Sequence, residues 1–264
     1  AIVGQPNVGK STLVNRLLGQ ERMVTGPEAG ITRDSITIPW RWGGRGVRLV
    51  DTAGLRRQAR IEEKLETLSA EDSFRSVQYA QLVVLVLDAT LDIARQDLTI
   101  ARRTIEEGRI LIVVANKWDL VTDREATRAA IDDRLEESLP QVRGIHVIQA
   151  SGLTGEGLDK LMPACFEAYD VWNRRIPTAR LNEWLSHATE KHPPPLVRGR
   201  RIRLRYMTQA KTRPPTFVVF SSMGTELPED YKRYLLNGIR EDFDLPGVPL
   251  RLIVRQRKNP FAEE

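Results

Sequence analysis

Three short, mainly apolar runs stand out along the chain: Leu82 to Leu87, Ile110 to Ala115 and Ile145 to Ala150. Their length and β-branched content predict strands buried on both faces. Apolar residues at helical spacing over 96–107, 124–139 and 158–172 predict helices between and after them. Strands alternating with helices predict a parallel sheet with right-handed crossovers. Ligands of such sheets lie at the carboxyl ends of the strands. Upstream, Ala1-Ile2-Val3 reads as a strand end and Lys10 to Leu18 as a helix with Leu13, Leu17 and Leu18 toward the core. The stretch from Val24 to Asp34 has no periodicity and reads as a loop. Ser35 to Trp42 and Val47 to Val50 read as strands turned by Gly43-Gly44, and Pro39 restricts the first to a sheet edge. A long charged region, Leu55 to Glu71, follows the second.

The pattern changes near Pro177. A helix over 179–191 ends at Pro193-Pro194-Pro195. Arg200 to Tyr206 then alternates strictly, predicting a strand with Ile202, Leu204 and Tyr206 inward and Arg201, Arg203 and Arg205 outward. A strand over 216–220, a helix over 228–243 with proline at its start and a last strand over 249–255 complete the order α-β-β-α-β. The expected division is therefore an α/β domain over 1–175 and a small α+β domain over 176–264.

Composition narrows the classes. At 264 residues and 41% hydrophobic content the chain can bury full cores. The lone Cys165 excludes a disulfide framework and suits a reducing, cytoplasmic setting. Nothing approaches ~18 consecutive apolar residues, so no membrane span is expected, and no signal peptide is expected ahead of the phosphate loop. The chain opens inside that strand and is expected to be part of something longer. Net charge is +5, but residues 176–264 hold 16 Lys and Arg against 10 Asp and Glu, while 1–175 hold 24 against 25. A polyanionic partner would meet the last third.

The chemistry gathers in polar clusters at predicted strand ends. Gly4-Gln-Pro-Asn-Val-Gly-Lys-Ser11 reads G-x-x-x-x-G-K-[ST] between a strand and a helix, the context that a phosphate-wrapping loop requires. Gly4 and Gly9 let backbone N–H groups of the loop point inward, beside the positive end of the helix dipole. Asn7, Val8 and Thr12 complete the loop's contact set. Lys10 is placed on the β- and γ-phosphates and Ser11 on Mg²⁺. Asp51-Thr52-Ala53-Gly54 follows a strand, so Asp51 can hold Mg²⁺ through water and the Gly54 N–H can touch the γ-phosphate. Thr32 is the hydroxyl best placed to complete the Mg²⁺ shell. Lys10, Thr32 and Gly54 form the expected catalytic set.

Asn116-Lys117-Trp118-Asp119 addresses the base. Guanine offers an N1–H and an amine side by side, which one carboxylate accepts together, whereas adenine would leave that carboxylate unpaired. Sites of this kind discriminate by roughly 10⁴-fold or more. Asp119 is the expected reader, Lys117 a stem along the base and Asn116 a tether to the phosphate loop. Ser151-Gly152-Leu153 is expected to close over the base through a backbone N–H.

Together these clusters resemble those of the translation-factor-like GTPases. Further matches extend the resemblance over nearly the whole chain: Gly30-Ile31-Thr32-Arg33-Asp34, Leu55-Arg56-Arg57 after Gly54, Pro194-Pro195-Leu196-Val197-Arg198-Gly199-Arg200-Arg201, Asp230 to Leu235 and Asn259-Pro260-Phe261. The chain resembles the second G domain and the appended KH-like domain of the Der (EngA) family of ribosome-assembly GTPases. That resemblance implies a P-loop GTPase domain with a mostly parallel sheet flanked by helices, then a KH-like domain. It also implies GTP and GDP as ligands, GTP hydrolysis, and the large ribosomal subunit and its rRNA as partners. Potassium held beside the phosphates by Asn7 is implied as well. The family carries two G domains in tandem, so a preceding G domain is absent from this chain. Its usual Ser-Ala in the last base loop is Ser151-Gly152 here.

An Era-like GTPase that clamps RNA through its own KH domain is the alternative. Such domains use a G-x-x-G loop, and Thr178 to Glu264 contains none: Gly224 is followed by Thr225-Glu226-Leu227. A nucleotide-driven metabolic enzyme fits less well, because no second substrate site is legible. The basic strand face of Arg201, Arg203 and Arg205 suits contact with rRNA about as well as it suits an ordinary solvated face or one docked on a G domain, taken together.

Overall fold

The computed structural model describes residues 1–20, 38–50, 76–197, 199–222 and 227–256. The expectations for Thr32, Asp51 and Gly54, with Leu55, Arg56 and Arg57, lie outside them. The chain divides into two compact units, 1–169 and 170–264.

In the first unit β1 (Ile2–Val3) leads into α1 (Lys10–Gln20). Next come β2 (Ile38–Trp42), β3 (Arg45–Leu49), β4 (Leu82–Asp88), α2 (Arg95–Glu106), β5 (Ile110–Asn116), α3 (Arg124–Ser138), β6 (His146–Gln149) and α4 (Leu161–Trp172). Four strands form one sheet in the order β1-β4-β5-β6, every pair parallel. β5 is buried along its whole length and β4 over all but its ends, which is why both read as unbroken apolar runs. One face carries Leu85, Leu87, Leu111 and Val113, in a core shared with Leu98, Ala101 and Ile105 of α2 and Ile131 and Leu135 of α3. Asp123 caps α3 by accepting from the Ala126 N–H at 3.0 Å, satisfying one of the donors that a helix start leaves open.

β2 and β3 form a hairpin of their own around Gly43-Gly44. Among the described residues β2 pairs with β3 alone, which suits Pro39. The hairpin is anchored by Trp42, stacked on Phe166 of α4 at 5.7 Å between centroids, and by the Arg45 guanidinium 4.1 Å from the same ring.

The second unit contains α5 (Thr178–Lys191), β7 (Leu196–Val197), β8 (Arg200–Arg201), β9 (Leu204–Thr212), β10 (Pro215–Ser221), α6 (Glu229–Asp242) and β11 (Arg251–Gln256). Its main sheet runs β11-β10-β9, with β10 parallel to β11 and antiparallel to β9. Leu181 and Leu185 of α5, Leu235 and Ile239 of α6, and Met207, Phe217 and Val219 of the sheet are buried. Buried Gln209 fixes the entry to α5, accepting from the Ile176 N–H at 2.7 Å and donating to the Arg174 carbonyl at 3.0 Å.

One expectation here is corrected. Arg200 to Tyr206 is two strands rather than one: β8 pairs with β7, and β9 begins at Leu204. Arg201, Arg203 and Arg205 are exposed and Ile202 is buried, but Tyr206 is 44% exposed and Met207 takes the core position. The break at 202–203 and a register shift between Phe220 and Ser221 end the two-residue period before Tyr206.

Candidate functional site

The loop between β1 and α1 has a shape that two glycines make possible. Gly4 has φ +145°, and a Cβ there would lie 2.3 Å from the Val86 carbonyl oxygen on the neighbouring strand. Gly9 has φ +91°, and its Cβ would meet the Asn116 amide at 2.4 Å. Neither site admits a side chain. Asn7 sits exposed at φ 63°, a conformation asparagine tolerates better than most residues. The Leu13 N–H donates to the Gly9 carbonyl at 3.0 Å, so α1 begins on the loop itself. Buried Lys10 curls back inside it, donating from Nζ to the Gly4 and Gln5 carbonyls at 2.9 and 2.5 Å. Ser11 and Thr12 follow on the first turn of α1. A glycine cradle with an enclosed ammonium and a helix start suits a run of phosphates.

The second cluster stands at the ends of β4, β5 and β6. Asn116 closes β5 and is 2% exposed. Its Nδ2 donates to the Val8 carbonyl at 2.6 Å and its Oδ1 accepts from the Gly152 N–H at 2.8 Å. One side chain thereby joins the phosphate loop to the 151–153 loop. Lys117 follows at φ 60°. Its Nζ pairs with Asp88 Oδ2 at 2.6 Å, which the register explains, since Asp88 and Asn116 are neighbours across β4 and β5. Asp119 lies half-buried in the 3-10 turn Trp118–Leu120, and its carboxylate makes no hydrogen bond or ion pair among the described residues. Ser151 is fully buried, its Oγ accepting from the Thr154 N–H at 3.0 Å, while Leu153 is 72% exposed. Arg16 of α1 reaches the same loop, donating from Nε to the Gly152 carbonyl at 3.0 Å and from Nη2 to the Leu153 carbonyl.

Comparison with known proteins follows this division. Residues 1–117 match the family described as 50S ribosome-binding GTPase, and 175–255 match the KH-domain-like region of EngA bacterial GTPase enzymes, C-terminal. A GTPase Der of Parvibaculum lavamentivorans is 56% identical over 263 residues, covering 100% of this chain and 56% of that protein. A GTPase Der of Brucella anthropi is 53% identical over 262 residues, covering 99% and 54% respectively. Over its whole length the chain is similar to GTPases of the Der family. It spans about half the length of the curated relatives it matches. Among solved structures, Era in complex with MgGDPNP and a segment of 16S ribosomal RNA is similar over 97% of this chain and 92% of that one, at 19% identity and a TM-score of 0.45.

Three charged residues that the sequence did not single out support the two clusters. Asp88 holds Lys117. Burial works to raise its carboxyl, but hydrogen bonds from Lys117 and Thr90 outweigh that and leave it below its ordinary value. Arg16 holds the 151–153 loop. Asp97, in the first turn of α2 and 4% exposed, accepts from Gln5 Nε2 at 2.7 Å and so braces the phosphate loop from below. Its other oxygen is buried without a hydrogen bond among the described residues. Burial pushes the Asp97 carboxyl above its ordinary value, against the opposing pull of Gln5. Asp88 could have been suspected from its place at a strand end, whereas nothing in the local pattern marks Asp97 or Arg16.

A Mg²⁺–nucleotide fits what is in view. Gly4 and Gly9 let the loop pack closely against Val86 and Asn116 in its phosphate-wrapping shape, and the Ser11 hydroxyl is a hard oxygen donor of the kind Mg²⁺ takes.

The direction at Asp97 gives a stability prediction. A carboxyl whose folded value lies above its unfolded value of about 3.9 holds its proton longer in the native state. Stability then falls as pH rises through that window and is level beyond it. Asp97→Asn removes this penalty, so the variant should gain stability relative to the parent as pH is raised from the unfolded carboxylate value toward neutrality. Urea unfolding across that range measures it. A difference that stays flat would show that Asp97 carries no burial penalty.

Proposed function

We propose that this chain binds GTP and hydrolyses it to GDP and phosphate, and that its nucleotide state controls binding to the large ribosomal subunit. The observation that carries the nucleotide reading is Asn116, whose two buried hydrogen bonds hold a phosphate-wrapping loop and a base-facing loop as one site. The ribosomal part is supported by the family that residues 1–117 match and by the positive excess in 176–264. In this reading residues 1–175 form the GTP-binding domain and 176–264 the KH-like one, with a preceding G domain in the whole protein.

Each residue then has a task. The amides of Asn7 to Thr12 surround the phosphates, with Lys10 on the β- and γ-phosphates. Ser11, Thr32 and Asp51 would hold Mg²⁺, which supplies neutralisation of charge developing between the β- and γ-phosphates. The Gly54 N–H meets the γ-phosphate. Asp119 pairs with the guanine edge, Lys117 lies along the base under the restraint of Asp88, and the 151–153 backbone closes over it. Asn116 holds that geometry without touching the reacting atoms.

Hydrolysis needs one more positive charge. In Ras-like GTPases a glutamine after the D-x-x-G glycine orients the attacking water, and Leu55 at that position has no hydrogen-bonding group. Asn7, exposed at the tip of the phosphate loop, offers an amide oxygen to a potassium ion beside the phosphates. GTP turnover should be faster in potassium than in sodium at matched ionic strength, and Asn7→Ala should remove the difference. Equal rates in the parent would return the task to Arg56 or Arg57, of which an arginine finger could supply about 10³–10⁵-fold. For the assembly role, the chain should co-sediment with large ribosomal subunits when loaded with a non-hydrolysable GTP analogue and dissociate when loaded with GDP. Sedimentation indifferent to the nucleotide would refute gating.

A further inference from the structure

We propose that Arg16 is the positioning residue that holds the base-closing loop down on a bound guanine nucleotide, and that it does so from the helix that begins at the phosphates. The inference rests on the nucleotide reading above. Arg16 lies six residues beyond Lys10 on α1, less than two helical turns from the loop. Helix and phosphate loop are continuous through the Leu13 to Gly9 hydrogen bond.

The contact at the other end is specific. The guanidinium donates from Nε to the Gly152 carbonyl at 3.0 Å and from Nη2 to the Leu153 carbonyl. Two parallel donors on two successive carbonyls use the planar fork that arginine has and lysine lacks. The loop is shaped around it: a Cβ at Gly155 would come within 3.1 Å of Nη1, and Gly155 has φ +90°. Gly152 is gripped on both sides, its N–H by Asn116 and its carbonyl by Arg16. The loop is closed on itself by the Ser151 N–H to the Glu156 carbonyl at 2.9 Å and the Gly155 N–H to the Ser151 carbonyl at 2.8 Å, and Arg16 ties that closed loop to α1. It also extends the restraint to Leu153, whose exposed side chain gives it no packing to hold it.

Arg16 therefore acts on the base through the loop, and its loss should be felt by ligands that have a base. The measurement is dissociation of a fluorescent GDP from the 264-residue chain, beside competition by Mg²⁺–pyrophosphate, which occupies only the phosphate loop. Arg16→Met should speed GDP release about tenfold, the scale of one charge-assisted hydrogen bond, and leave pyrophosphate affinity unchanged. Arg16→Lys, which restores the charge but reaches one carbonyl, should recover part of the difference. A GDP release rate that Arg16→Met leaves unchanged overturns the assignment while the nucleotide site stands. Equal weakening of GDP and pyrophosphate also overturns it, since that outcome marks a general brace. A parent chain that binds pyrophosphate but no GDP overturns the nucleotide reading itself and Arg16 with it.

Discussion

The amide of Asn116 is the constraint on which the first unit's strand-end chemistry depends. It is buried, and it makes its two recorded hydrogen bonds to backbone groups of loops far apart in sequence, one at Val8 and one at Gly152. A buried donor or acceptor left unpaired costs about 1–3 kcal/mol. Aspartate here would turn an oxygen toward the Val8 carbonyl, and an aliphatic residue would strand both partners. The close approach also dictates Gly9, because a Cβ there would occupy the amide's place. A strand-end asparagine and a loop glycine more than a hundred residues apart therefore require each other.

The sheet supplies the precision this needs. β4 and β5 are buried, apolar and in parallel register, which sets Asp88 beside Asn116 and brings the Lys117 ammonium to the Asp88 carboxylate. The charges around the phosphate loop follow a related logic. Lys10 is enclosed by carbonyls of its own loop, and a buried carboxylate, Asp97, braces that loop through Gln5. A negative group held this close partly offsets the positive field that draws in an anion. Burial raises the Asp97 carboxyl above its ordinary value, while Gln5 and Lys10 pull it the other way.

Much of this was legible in the sequence because backbone chemistry dictates it. The phosphate loop needs glycine where φ is positive and a lysine at one spacing, and Gly4, Gly9 and Lys10 show that pattern without any knowledge of the fold. The parallel sheet was legible for a similar reason, since a strand buried on both faces must be apolar throughout. Arg16 and Asp97 were not legible, and Asp88 only through its place at a strand end. Their partners lie 136, 92 and 29 residues away, and only the strand order brings them together. Tyr206 was misplaced because alternation was carried across a strand break that pairing, not composition, creates.

The most direct test of a guanine-reading site is Asp119→Asn, measured by titrating parent and variant with GTP and with xanthosine triphosphate. Asp119 lies half-buried in the 3-10 turn after Asn116, with no partner among the described residues, so its carboxylate is available to a base. Asparagine exchanges one acceptor oxygen for an amide, which suits the carbonyl that xanthine carries where guanine has its amine. The variant should lose GTP affinity by orders of magnitude and gain affinity for xanthosine triphosphate. A variant that binds GTP as tightly as the parent, and xanthosine triphosphate no better, would contradict it.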